Sequence, residues 1–178
     1  PVERTYSEWK MSAYNSPGGI PSSVFGGNKS SVSSCMDCHM ADATGKGCDK
    51  NYAPIRNDMP LHDLTGGNTF VPLLVKDKFP SEVDANAIDA GIIRARYMIQ
   101  NAATMNLSVS IEEDGYDMDV EIINETGHKL PSGYPEGRRM WLNVQAYDIN
   151  DNLIFESGAY DNVTATLNTS DAKIYEAK

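Results

Sequence analysis

A chain of 178 residues is long enough to bury a core as one large domain or two small ones, and 40% hydrophobic with 22% charged residues is a globular composition. The formal net charge of −10 argues against a nucleic-acid partner, which needs clustered Lys and Arg. No apolar run approaches the roughly 18 residues of a membrane span. The chain opens Pro1-Val2-Glu3-Arg4 without an initiator Met and stops at Lys178 in a polar stretch, so both ends read as processed or cut from something longer.

Residues 1–34 show one short helical stretch, Tyr6 to Tyr14, carrying Tyr6, Trp9 and Tyr14 as aromatic surface. The remainder is Gly, Pro, Ser and Asn, a composition that makes ordered coil and turns. Trp9 receives no role beyond packing.

Cys35-Met36-Asp37-Cys38-His39-Met40 follows, and it contains Cys-x-x-Cys-His, the attachment signature of a c-type haem. The spacing has a chemical reason. Two thiols bond covalently to the porphyrin edge while the adjacent imidazole reaches the iron from the same short turn. A zinc site needs a second pair of soft ligands, and a redox dithiol belongs in a βαβ setting; neither context surrounds Cys35 and Cys38. The third thiol, Cys48, is either a buried inert residue or a partner for a cysteine outside this segment, and pairing is the favoured expectation.

From Cys35 to Pro80 the pattern stays loop-like, because Gly and Pro interrupt any long element. Within it lies Leu61-His62-Asp63-Leu64-Thr65-Gly66-Gly67-Asn68. A haem iron has two axial positions, so His62, 23 residues beyond His39, is a candidate second ligand; the competing reading is a turn His bonded to Asp63. Ser81 to about Met105 reads as one long helix, opened by Ser81-Glu82-Val83-Asp84, with Ala85, Ile88, Ile92, Ala95, Ile99 and Ala102 on one face. Arg94 and Arg96 fall elsewhere and read as solvated.

The period then changes to two. Leu107, Val109 and Ile111 alternate with polar neighbours, Asp114-Gly115 turns the chain, and Met118, Val120 and Ile122 return. A third strand runs through Met140, Leu142, Val144 and Ala146, and Asn150-Asp151-Asn152 turns it into a fourth with Leu153 and Phe155. Between them, Gly127-His128-Lys129-Leu130-Pro131-Ser132-Gly133 displays His128 at a loop, where it rivals His62 for the iron. Arg138 and Arg139 could meet a haem propionate, against the alternative of solvation or pairing with acids. Asn-x-Ser/Thr sequons begin at Asn28, Asn106, Asn124, Asn162 and Asn168 and read as polar turn residues.

The expected fold is therefore α+β: a loop-rich haem-binding region over 1–80, a connecting helix over 81–105, and an antiparallel β-sandwich-like domain over 106–178. His62 is preferred over His128 as the second ligand by proximity, while Met40 and Met59 keep a His/Met pair open.

Taken together, the Cys-Met-x-Cys-His-Met segment, the His-x-x-x-Gly-Gly-Asn loop at His62, the helix, and the Gly-His-Lys-x-Pro-x-Gly stretch at His128 resemble a segment of a bacterial exported multihaem cytochrome c. The resemblance covers most of residues 30–178. It implies electron transfer through covalent haem c, with Cys35 and Cys38 as thioether anchors, His39 as proximal iron ligand, and His62 and His128 as candidate distal ligands. It also implies export to the periplasm or beyond, with other haems or redox proteins as partners. One departure stands out: such proteins carry several haems, and this chain has one Cys-x-x-Cys-His, so a spare histidine could serve a haem on another segment or another copy. Two rival functions remain from the residues: a haem oxidoreductase with an open iron face, using Asp63, Lys129 or Tyr134 for protons on a small nitrogen or sulfur compound, and a self-associating docking module.

Overall fold

The computed structural model describes residues 3–176. It is a mixed α and β structure whose sheets are small and antiparallel. The residues group into two compact units, one of Glu8–Gly127 and one of Pro1–Ser7 with His128–Lys178.

The chain begins with α1 (Thr5–Lys10), followed by a 3-10 turn at Ala13–Asn15, in place of one continuous helix over residues 6–14. Strands β1 (Ile20–Pro21) and β2 (Ser31–Val32) pair antiparallel and close a Gly-rich loop. Inside that loop Gly27 adopts φ +63 and bridges to Asp42; a Cβ there would stand 2.1 Å from the Asp42 carbonyl oxygen, so only glycine fits. Tyr14, Phe25 and Val32 form the buried cluster of this unit, with Val32 only 1% exposed, and Trp9, Ile20, Cys38 and Met98 pack against it.

After the single-turn α2 (Cys35–His39), the expected loop contains real elements. β3 (Asp42–Lys46) pairs with β4 (Ile55–Pro60), with a register break between Ala43 and Gly45. α3 (Val71–Lys78) starts where Asn68 Oδ1 accepts from the Phe70 and Val71 N–H groups, and Pro72 sits in its first turn, where a missing N–H costs nothing. Gly and Pro at element ends and bulges were compatible with structure that their frequency disguised.

The long helix is shorter than its apolar period suggests. α4 (Ala85–Gln100) begins at Asp84, whose carboxylate accepts from Asn86 and Ala87 N–H, so Ser81 lies outside it. Ile92 and Ala95 are its buried residues, and Met98, not Ile99, reaches the cluster around Tyr14. Lys76 of α3 bonds Asp89 of α4 at 2.6 Å. Residues from Ala103 onward already belong to a strand.

That strand, β5 (Ala103–Glu112), pairs with β6 (Gly115–Asn124) in unbroken register from Ala103↔Asn124 to Glu112↔Gly115, as the alternation requires. Met105↔Ile122, Leu107↔Val120, Val109↔Met118 and Ile111↔Tyr116 line one apolar face; Asn106↔Glu121, Ser108↔Asp119 and Ser110↔Asp117 line the polar one.

In the other unit the expected third strand is two. β7 (Arg139–Trp141) pairs with β12 (Ile174–Glu176), and β8 (Val144–Tyr147) pairs with β9 (Leu153–Ser157) around a turn in which the Asp148 side chain accepts from Asn150 and Asn152. β10 (Tyr160–Asp161) and β11 (Thr166–Leu167) form a third ladder. The Trp141 and Tyr160 rings meet at a tilt of 40° with centroids 5.2 Å apart, and the Trp141 indole donates to Gly158 O. Among the described residues every sheet has two strands, so the antiparallel pairing is present and a two-layer sandwich is not among these ladders.

The cap geometry makes a discriminating prediction. Asp84→Ala should destabilise the fold by about 1 kcal/mol in urea unfolding, whereas Ser81→Ala should change it by only a few tenths. The reverse order would place the helix start at Ser81.

Candidate functional site

The Cys35–His39 turn is built by its own sequence. Ser34 caps α2: its hydroxyl accepts from Asp37 N–H, while Asp37 Oδ2 accepts from the backbone of Ser33 and Ser34 at 2.9 Å each. Five residues cannot hold a helix by propensity, so this reciprocal cap and the packing behind it do so. On a helical turn, positions i, i+3 and i+4 share a face, and this places Cys35, Cys38 and His39 together.

Asp37 is the buried pivot of the turn. Burial by itself would raise its carboxyl, but hydrogen bonds from Lys29 and from the Ser33 and Ser34 backbone outweigh that and hold it well below the usual aspartate range. Lys29 also stands 3.7 Å from buried Asp42, at the head of β3. The Trp9 indole donates to Ser33 O at 2.7 Å, fixing the residue before the cap; nothing in the sequence pattern pointed to that role.

The thiols differ. Cys35 is exposed and Cys38 half-buried against the Tyr14 cluster. Burial, then the nearby charges of Asp37 and Cys35, push the Cys38 thiol up to about 11, so it is protonated at neutral pH. Cys48 is exposed rather than buried. Among the described residues no three His, Cys, Asp or Glu side chains converge as a metal-ion site of their own.

His39 carries the most informative contact. Its Nδ1 lies 2.5 Å from the carbonyl oxygen of Thr65, and the Thr65 N–H returns a bond to His39 O at 3.1 Å. A carbonyl only accepts, so Nδ1 is the donor, and in the neutral tautomer that makes this bond the lone pair lies on Nε2. Metal-bound histidines show the same arrangement, with the second ring nitrogen donating to a backbone carbonyl. The donor set therefore fits a c-type haem: two thiols and a tautomer-fixed imidazole on one face of one turn.

His62 lies exposed in the loop that supplies Thr65. Asp63 is not its partner; Asp63 pairs with Arg94 at 2.8 Å, so Arg94 is engaged rather than solvated. The loop also rests on α4 where Gly67 meets Ile99. Met40 caps α2, and Met59 packs over Gly47 in the β3–β4 hairpin.

His128 opens the other unit, where its Nδ1 lies 3.0 Å from Lys129 O. Gly127, which precedes it, lies against Trp9 and Tyr14, the cluster on which Cys38 packs. Arg139 bonds Glu176 at 2.7 Å, so the pairing with an acid accounts for it, and Arg138 is exposed. Among the sequon asparagines, Asn124 and Asn168 make local side-chain hydrogen bonds, while Asn28 donates to Asn57 O and Asn106 to Glu121 across the hairpin.

No family model, curated protein or solved structure matches the chain.

Asp37 yields a pH prediction with a definite sign. A carboxyl held below its unfolded value contributes stability that is fully present above about pH 4 and is lost as pH falls through the folded value. Urea unfolding between pH 7 and pH 2 should show this acid limb in the wild type and a flatter one in Asp37→Asn, which should also be less stable at pH 7. Parallel curves would remove Asp37 from the account.

Proposed function

We propose that the chain carries one covalent c-type haem on Cys35 and Cys38, with His39 as an axial ligand, and works as an exported electron-transfer protein in a multihaem setting. The observation that carries this reading is the His39 Nδ1 to Thr65 carbonyl bond, which presents Nε2 as a metal donor beside two thiols at the required spacing. The haem supplies the redox chemistry when bound; the protein supplies position and field.

Each residue then has a defined task. Ser34 and Asp37 hold the turn, and Lys29 keeps the Asp37 charge buried and paired. Thr65 orients the His39 ring and makes it more basic, which favours the oxidised metal. Cys38 anchors against the aromatic cluster, while exposed Cys35 keeps the other anchor at the surface, within reach of a redox partner. A second imidazole would complete a low-potential six-coordinate centre, and the surrounding acidic charge lowers the potential further.

The same reading takes residues 106–178 as the substance of a sandwich-like β-domain. What supports it is the apolar face of β5–β6, where Leu107, Val109 and Ile111 are more than half exposed, and, in the other unit, the antiparallel ladders β7–β12 and β8–β9.

Electron paramagnetic resonance and near-infrared spectra of the haem-loaded chain should show a low-spin ferric iron with two imidazoles. A high-spin signal that shifts on adding nitrite, hydroxylamine or cyanide would favour an enzyme with an open iron face instead.

A further inference from the structure

We propose that His62 is an axial ligand to a haem iron other than the one His39 holds. The inference rests on the haem reading above and adds to it the identity of a second iron site at the protein surface.

The loop that carries His62 is tied to the attachment turn at both ends. Leu61 N–H donates to Ala41 O at 3.1 Å, and Thr65 N–H donates to His39 O at 3.1 Å. Between them Leu64 takes a left-handed turn at φ 45, and Asp63 is held by Arg94. The Thr65 carbonyl accepts from Nδ1, the ring nitrogen turned away from a metal at Nε2. The loop therefore lies behind His39, on the proximal side of any haem that His39 binds.

Reach decides the rest. Thr65 is three residue steps from His62, and even fully extended those steps span about 10 Å. The path from Thr65 to the opposite axial position of the same iron crosses two imidazole rings and two metal–nitrogen bonds of about 2 Å each. Laid end to end with the connecting bonds it measures on the order of 15 Å, before the detour around the porphyrin edge. A turned loop anchored at residues 39–41 cannot cover that distance.

His62 is nevertheless exposed, on a loop held by two backbone bonds and an ion pair, beside a haem-attachment turn. That is a pre-organised imidazole facing outward, suited to an iron with a vacant axial position. The 178 residues hold one Cys-x-x-Cys-His, so this iron is attached outside them, on a second copy of the chain or on another haem-bearing segment or protein. Either arrangement sets two haems on opposite sides of one short loop.

The test uses the haem-loaded chain and a His62→Phe variant that retains His128. At a dilution where sedimentation shows a monomer, the resonance spectra of the two proteins should superimpose. Both are then titrated with a haem peptide that bears one axial histidine and an open opposite face. Wild type should convert the peptide from high to low spin at roughly tenfold lower concentration than the variant, a difference of about 1.4 kcal/mol. If the natural iron is a second copy, concentrating wild type alone should produce association and a change in its spectrum that His62→Phe abolishes. If it is another haem protein, only the peptide should produce the change. Loss of six-coordination in the dilute variant, or equal titration by both proteins, would overturn the inference while leaving the haem reading intact. A wild type without covalent haem would instead remove the reading on which it rests.

Discussion

The hydrogen bond from His39 Nδ1 to the Thr65 carbonyl decides which nitrogen of that ring can meet a metal. Its return bond, Thr65 N–H to His39 O, fixes the backbone of the attachment turn to the loop 26 residues further on. The same pair of bonds also determines where His62 can and cannot be, because it sets the loop on the proximal side of the ring. In the proposed haem site, orientation of the first ligand and exclusion of a nearby second one would thus be one constraint.

Behind the turn lies a second constraint, a buried charge that is well satisfied. Asp37 is a costly residue to bury, and its cost is met by Lys29, by two backbone N–H groups and by the Ser34 cap. Lys29 reaches it from the loop that Gly27 allows to approach Asp42. Trp9 closes the arrangement from the other side through Ser33. A helix of one turn has little stability of its own, so these partners make the thiol and imidazole spacing a fixed geometry rather than a fluctuating one.

Much of this was legible in the residues where the information is local. The Cys35, Cys38 and His39 spacing on which the haem proposal rests is local, and β5–β6 follows from a period of two that a two-residue turn brings into unbroken register. The helix at 85–100 was legible in its interior and not at its ends, because Asp84 outcompetes Ser81 as a cap and Ala103 is recruited by Asn124. What escaped was non-local or carried by the backbone. A carbonyl such as that of Thr65 has no side-chain signature, Lys29 and Asp37 obey no period, and Asp63 finds Arg94 across the fold instead of its neighbour His62. Pro72 and Gly45 looked like breakers and proved to be a first-turn residue and a paired strand residue beside a register shift.

The central claim is that Cys35, Cys38 and His39 form a haem anchor, and a peptide map of the protein matured with haem tests it most directly. After denaturation and trypsin, the peptide between Lys29 and Lys46 should retain haem absorbance and the mass of one haem, with no alkylatable thiol. The same peptide recovered with two free thiols, or with a Cys35–Cys38 disulfide and no haem, would contradict the account.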